Sequence, residues 1–189
     1  MNTLNKLDFH DFKVNEPELI KLAGMYDVWD HRDPNAKVLQ FGLRALSDGE
    51  FNQLLHEAFT RGGTGLLSSA LGFGEKIKSY CDKQNDEYSS AYSQTIHWEG
   101  ITFCALNIGQ RGNSDLLRGG LKPEHDACFA WRWTGDSVMV SLYHIDGHTH
   151  HDLSKIAVKY GGGGHRGACG FRISLAQLND ILTSPMEAP

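Results

Sequence analysis

The chain has 189 residues, 40% of them hydrophobic, and carries 18 lysines and arginines against 23 aspartates and glutamates for a formal net charge of −5. That length buries one good core with a smaller helical appendage and needs no external staple, while the acidic balance excludes a broad basic face for long duplex nucleic acid, so any polyanionic ligand is small and held locally. Cys81, Cys104, Cys128 and Cys169 form no CxxC pair, which excludes a zinc ribbon or disulfide framework and points to a reducing, cytoplasmic setting, and there is neither an apolar leader nor a run approaching the ~18 apolar residues of a membrane span.

In chain order, residues 16–26 place Leu19, Ile20, Leu22, Ala23 and Tyr26 at helical spacing, with Pro17 in the first turn, where its missing N–H costs nothing. A polar segment then ends at Pro34, and 36–45 continues as helix. Asp48 is expected to cap a third helix, because Phe51, Leu54, Leu55, Ala58 and Phe59 follow one helical face. Over 66–92, Leu66, Leu67, Ala70, Leu71, Ile77, Tyr80, Cys81, Tyr88 and Ala91 trace one face of a long helix, with Gly72 and Gly74 as places for a bend. At about 1.5 Å per residue it is about 40 Å long if straight, a length that suits a connector between lobes.

Beyond Tyr92 the period becomes two. Strands are expected over 95–98, 101–108, 127–133 and 137–144, the last pair joined by Thr134-Gly135-Asp136. Asp152 is expected to cap a helix over 152–160 with Leu153, Ile156, Ala157 and Tyr160 inward. The glycine run, a strand through 171–173 and a last helix near 175–182 follow. The C-terminal half is therefore α+β, with a boundary near residue 93.

One glycine suffices to end a helix in the left-handed conformation, yet Gly161, Gly162, Gly163 and Gly164 are consecutive. The three beyond the first exceed what termination needs. Their amides can converge on an anion without intervening side chains, and His165 and Arg166 add donors for phosphate oxygens. The alternative is a flexible turn with an exposed histidine.

The string from Gly161 to Phe171, preceded by the helix from Asp152 and the strand Val138-Met-Val-Ser-Leu-Tyr143, resembles the C-terminal substrate-binding domain of the DHH phosphoesterase family. Gly162, Gly163, Gly164, His165, Ala168, Gly170 and Phe171 fall on that family's GGGHxxAAGF signature, with Cys169 in place of the second alanine. The resemblance covers 94–183 and implies a mixed sheet flanked by helices whose glycine-histidine loop grips the phosphate or base of a dinucleotide or short oligonucleotide. It makes Gly162, Gly163, Gly164, His165, Arg166, Ser141, Tyr143 and His144 the expected ligand-binding set, Tyr143-His144 standing where the family often has an Arg-Ser pair. The implied organisation is a helical segment over 1–65, a linker helix over 66–93, the substrate-binding domain over 94–183 and a tail over 184–189.

Upstream, the segments 17–21 and 25–30 resemble the close of the catalytic domain in the oligoribonuclease-like branch of the same family, which implies that Asp27 descends from its last metal-binding aspartate. The other reading of Asp27 is a loop carboxylate that caps a helix. No Asp-His-His occurs, and one aspartate cannot space two ions about 3.5–4 Å apart over a phosphate. The expectation is a chain that binds a small nucleotide without hydrolysing it alone, requires no cofactor for binding, and meets Mn²⁺ or Mg²⁺ only if a catalytic domain completes it. Expected partners are that nucleotide and a second copy of the chain or a separate DHH catalytic chain, with neither a membrane nor long duplex nucleic acid. The start at Met1 favours a subunit of a split enzyme or a stand-alone sequestering binder over an excised half.

Other constellations stay open. His148-Thr-His150-His151-Asp152 fills the first five places of the HxHxDH pattern of metallo-β-lactamase-like hydrolases, with Leu153 in the sixth; otherwise Asp152 caps its helix and the histidines line the cleft or face solvent. Trp131 and Trp133 share a strand face and either stack on bases or pack, while Trp98 ends a neighbouring strand. Arg111, Arg118 and Lys122, with Gly112, Gly119 and Gly120, form either a close ligand approach or a solvated surface. Asn107 and Ser114 read both ways.

Overall fold

The computed structural model describes residues 16–28, 30, 32–61, 64–109, 114–145, 147–148 and 150–183. The chain divides into two units, 1–80 and 81–189.

The first unit is helical because its apolar residues recur once per turn and its turns carry capping chemistry. Helix α1 spans Glu18–Asp27, α2 Pro34–Leu43 and α3 Asp48–Arg61, and α4 begins at Thr64 and runs unbroken to Tyr92 through Gly72 and Gly74. Asp33 caps α2 by accepting the Asn35 amide at 2.9 Å, with Pro34 in the first turn. Asp48 is not the cap of α3. Ser47 holds that place in a reciprocal capping box, its amide donating to the Glu50 carboxylate at 2.8 Å and the Glu50 amide to its hydroxyl at 3.4 Å. Leu19, Leu22, Leu39, Leu54, Ala58, Leu67 and Ala70 form the buried core. Gly42 and Gly74 let α2 and α4 approach backbone to backbone, since a Cβ at either would collide with the carbonyl of Ala70 or Val38 respectively.

The second unit is built on β1 (Gln94–Trp98), β2 (Ile101–Asn107), β3 (Ala127–Trp133), β4 (Val138–His144), β5 (Gly163–His165) and β6 (Ala168–Ile173). They form one sheet in the order β1-β2-β3-β4-β6-β5, antiparallel throughout except for the parallel β2–β3 pair. A parallel pair needs a crossover, which here contains a 3-10 helix, Ser114–Gly120. One face of the sheet, through Phe103, Phe129, Val138, Val140, Leu142, Phe171 and Ile173, packs with Leu153, Ile156 and Ala157 of α5 (Leu153–Lys159) and Leu178 and Ile181 of α6 (Leu175–Thr183). The other face carries Cys104, Leu106, Cys128 and Ala130 against Leu116 and Leu117 of the 3-10 helix. The architecture is the expected α+β arrangement, a mixed sheet flanked by helices.

Hairpin and helix ends are chemically explicit. The β1–β2 turn holds Glu99 and Gly100 both at positive φ, 54° and 72°. Glu99 then anchors α5 through Lys159 at 2.7 Å and the Tyr160 hydroxyl at 2.9 Å, and the Lys159 ammonium holds its carboxyl below the usual range. Asp152 occupies the N-cap position of α5 without capping it. Its carboxylate takes the Ser154 hydroxyl at 2.6 Å, and the Leu153 amide is satisfied by the Arg166 carbonyl at 3.0 Å. All four cysteines are free thiols, and burial pushes Cys128 up to about 12 and Cys169 up to about 11.

Candidate functional site

The glycine run is more tightly specified by backbone geometry than by any anion. Gly161 ends α5 at φ 77° and donates to the Val158 carbonyl, and the Gly162 amide donates to the Ala157 carbonyl at 2.8 Å. A Cβ at Gly162 would collide with the Gly170 carbonyl and Phe171, and one at Gly164, which sits at φ 137°, would collide with Cys169. The expectation of three surplus glycines is therefore corrected. Only Gly163 has open space around a Cβ and no positive φ. The amide of Gly162 is committed to the helix end.

The run is also not a loop. Residues 163–165 form β5, at the sheet edge, paired with β6 as Gly163↔Gly170, Gly164↔Cys169 and His165↔Ala168. The strand escaped sequence reading because glycines show no alternation of side chains. Cross-strand partners share a face. The register continues into β4 as Tyr143↔Ala168 and Ser141↔Gly170, and into β3 as Cys128↔Tyr143 and Ala130↔Ser141. Gly163, His165, Ser141 and Tyr143 therefore lie on one face, opposite the face that buries Leu142 and Cys169 under α5. By register Gly163, Gly170 and Ala168, none with a long side chain, share this face with His165, Ser141 and Tyr143, and the Tyr143 ring packs against the cluster of Cys104, Leu116 and Cys128. His165 is exposed, and Ser141 and Tyr143 are half-buried.

His144 stands apart from this set. Its position alternates to the other face of β4; its Nε2 donates to the His151 carbonyl at 2.8 Å, and its ring lies against Gly167, where a Cβ would come within 2.7 Å of Nδ1. It braces the following loop. Arg166, in the turn between β5 and β6, donates to the His150 carbonyl at 2.8 Å and remains exposed. Its positive charge adds to the Ser154 hydroxyl bond and Lys155 in holding the Asp152 carboxyl below its usual range, the hydroxyl bond being the largest cause.

The remaining candidates fall elsewhere. Asp27 is the exposed last residue of α1, and the one group of three metal-ligating side chains among the described residues is Asp126, His150 and His151. The local pattern of 148–152 could not reveal Asp126, which lies at the start of another strand. Trp131 and Trp98 pack against the core, Trp98 with its ring centroid 5.1 Å from Tyr160 and 5.7 Å from Phe129, while Trp133 is exposed. Gly119 and Gly120 abut Asp86, Ser89 and Ser93 at the end of α4, so their missing side chains serve helix packing, not ligand approach. Arg118 pairs with Asp86 at 3.2 Å, and Asn107 takes the Gly109 amide at 3.0 Å. Arg111 and Gly112 lie outside the described residues.

No family model matches the chain, and no curated protein matches it. Among solved structures, the pGpG-specific phosphodiesterase PggH from Vibrio cholerae is similar with a TM-score of 0.58 at 13% identity, over 90% of this chain and 67% of that one. The DHH domain of a protein assigned to a family of ribosomal proteins is similar with a TM-score of 0.51 at 17% identity, over 86% of this chain and 42% of that one. At these identities the likeness is one of fold alone: the architecture of this chain resembles those of PggH and of that DHH domain.

Proposed function

We propose that residues 94–183 bind a small phosphate-containing nucleotide, a cyclic or linear dinucleotide, a short oligonucleotide or a pAp-like molecule, and that the chain alone sequesters it without cutting it. The observation that carries this reading is the register that sets His165, Tyr143 and Ser141 around a floor of Gly163, Gly170 and Ala168. A floor without side chains lets a flat or anionic group reach backbone. His165 and Arg166 supply donors to phosphate oxygens, Ser141 supplies a hydroxyl, and Tyr143 offers a ring for a base. Hydrolysis by a two-ion mechanism needs a cluster of carboxylates and histidines, and the sequence carries no Asp-His-His. The specificity named for PggH, a linear dinucleotide, supports the ligand class.

A second reading takes the chain as the C-terminal part of a Mn²⁺- or Mg²⁺-dependent DHH phosphodiesterase whose catalytic half is supplied elsewhere. The coverage favours it, since the chain spans 67% of PggH. Both readings put the nucleotide on the same face. Calorimetric titration with pGpG should show His165→Ala weakening binding at least about tenfold, because a charge-assisted bond contributes about 1.5–3 kcal/mol. Unchanged affinity would move the site off this face.

A further inference from the structure

Separately from the nucleotide reading, we infer that Asp126, His150 and His151 form a binding site for one borderline divalent metal ion of the Zn²⁺ class. One ligand atom from each residue lies within 4.8 Å of the others. The His150 Nε2 to Asp126 Oδ1 separation is 3.9 Å, too long for a hydrogen bond. It is the spacing of two donors on a shared ion, since ligand bonds of about 2.0–2.2 Å put donors roughly 3–4 Å apart. The His150 and His151 rings are tilted by 52° with centroids 4.1 Å apart, and side-chain rotation in this exposed loop closes the rest.

What distinguishes the trio from a chance surface cluster is how its members are held. Asp126 is fastened to β2 twice, its Oδ2 accepting the Thr102 amide at 3.0 Å and its own amide donating to the Thr102 carbonyl at 2.8 Å. That leaves Oδ1 as the oxygen facing His150. The backbone of His151 is pinned by the His144 imidazole at 2.8 Å, and that of His150 by the Arg166 guanidinium at 2.8 Å. Neither imidazole of His150 or His151 has a hydrogen-bond partner among the described residues. Both rings are positioned by their backbones and available through their nitrogens, and a ligating carboxylate oriented by an outer hydrogen bond is the usual support of a metal centre.

Two imidazoles and one carboxylate suit Zn²⁺, Co²⁺, Ni²⁺ or Fe²⁺ over Mg²⁺ or Ca²⁺, which prefer all-oxygen sites. Three protein ligands leave an open position for water or an anionic oxygen. The site lies at the end of the sheet where β3 begins and β4 ends, the end that also holds the β5–β6 turn with Arg166. An ion there ties the loop after β4 to the start of β3 and adds positive charge beside that turn.

The test uses the full chain without a histidine tag, titrated calorimetrically with ZnCl₂ and followed with CoCl₂ by visible absorption, in the absence of nucleotide. One saturable ion per chain is expected. His150→Ala, His151→Ala and Asp126→Asn should each weaken Zn²⁺ binding by about tenfold or more, while His56→Ala, on exposed α3 surface, leaves it unchanged. Circular dichroism of each variant confirms that the fold persists. Absence of saturable uptake, or uptake indifferent to Asp126→Asn and both histidine variants, overturns the site. Because no nucleotide is present, failure here leaves the reading of the His165 face untouched.

Discussion

Gly163 and Gly164 are neighbours with opposite obligations. Gly164 sits at φ 137° against Cys169, whereas Gly163 has open space on the face that carries His165 and Tyr143. Gly164→Ala should therefore destabilise the chain by about 1–3 kcal/mol, and Gly163→Ala should leave the urea midpoint unchanged or slightly raised while weakening nucleotide binding. Urea unfolding and titration of the two variants measure this separation; a Gly163→Ala chain as unstable as Gly164→Ala, or one that binds as wild type, would contradict it. The GGGH signature was legible because it is local. The purpose of each glycine was not, because the obstructing atoms belong to Gly170, Phe171 and Cys169 on the neighbouring strand.

At the scale of elements, helices and long strands were legible wherever side chains alternate with the right period. The errors came where they do not. β5 is nearly all glycine and shows no period, and Asp152 stands at a helix start yet spends its carboxylate on Ser154. The cap of α3 was readable as Ser47 with Glu50 three residues on, a better signal than Asp48 itself. His125 illustrates a polar tie between elements that no local pattern shows. It is buried, its Nδ1 accepts the Lys122 amide at 2.9 Å, and its Nε2 therefore carries the proton, directed at the Thr95 hydroxyl of β1 at 2.9 Å.

Burial lowers the pKa of His125. The unfolded chain takes up a proton near pH ~6.5 that the folded chain resists, so this contribution to stability is present in full above that pH and is lost as pH falls toward the lowered folded value. His125→Phe should cost about 1–3 kcal/mol at neutral pH by leaving buried partners unpaired. The difference in urea midpoint between wild type and variant should shrink as pH is lowered through this range. A constant difference would show that His125 titrates as an exposed histidine.

At the scale of the molecule, the sheet unit carries both proposed sites, and each depends on strand order more than on sequence proximity. The proposed nucleotide face is assembled from β4, β6 and β5, and the proposed metal site joins Asp126, just before β3, to the loop after β4. Composition and periodicity foretold the α+β chain, and the family resemblance named Ser141, Tyr143, His144 and His165 as candidates; that the register puts Ser141, Tyr143 and His165 on one face and His144 on the other, and that Asp126 neighbours His150 and His151, required the fold. No helix among the described residues is long and apolar enough to cross a membrane. The likeness to PggH covers 67% of that protein, and gripping without cutting is the central claim for the chain by itself. It is tested most directly by titrating the purified chain with pGpG, with and without Mn²⁺, and analysing the nucleotide afterwards. Saturable binding that does not require Mn²⁺, with pGpG recovered intact, is the predicted result; turnover by the chain alone, or no binding at all, would contradict it.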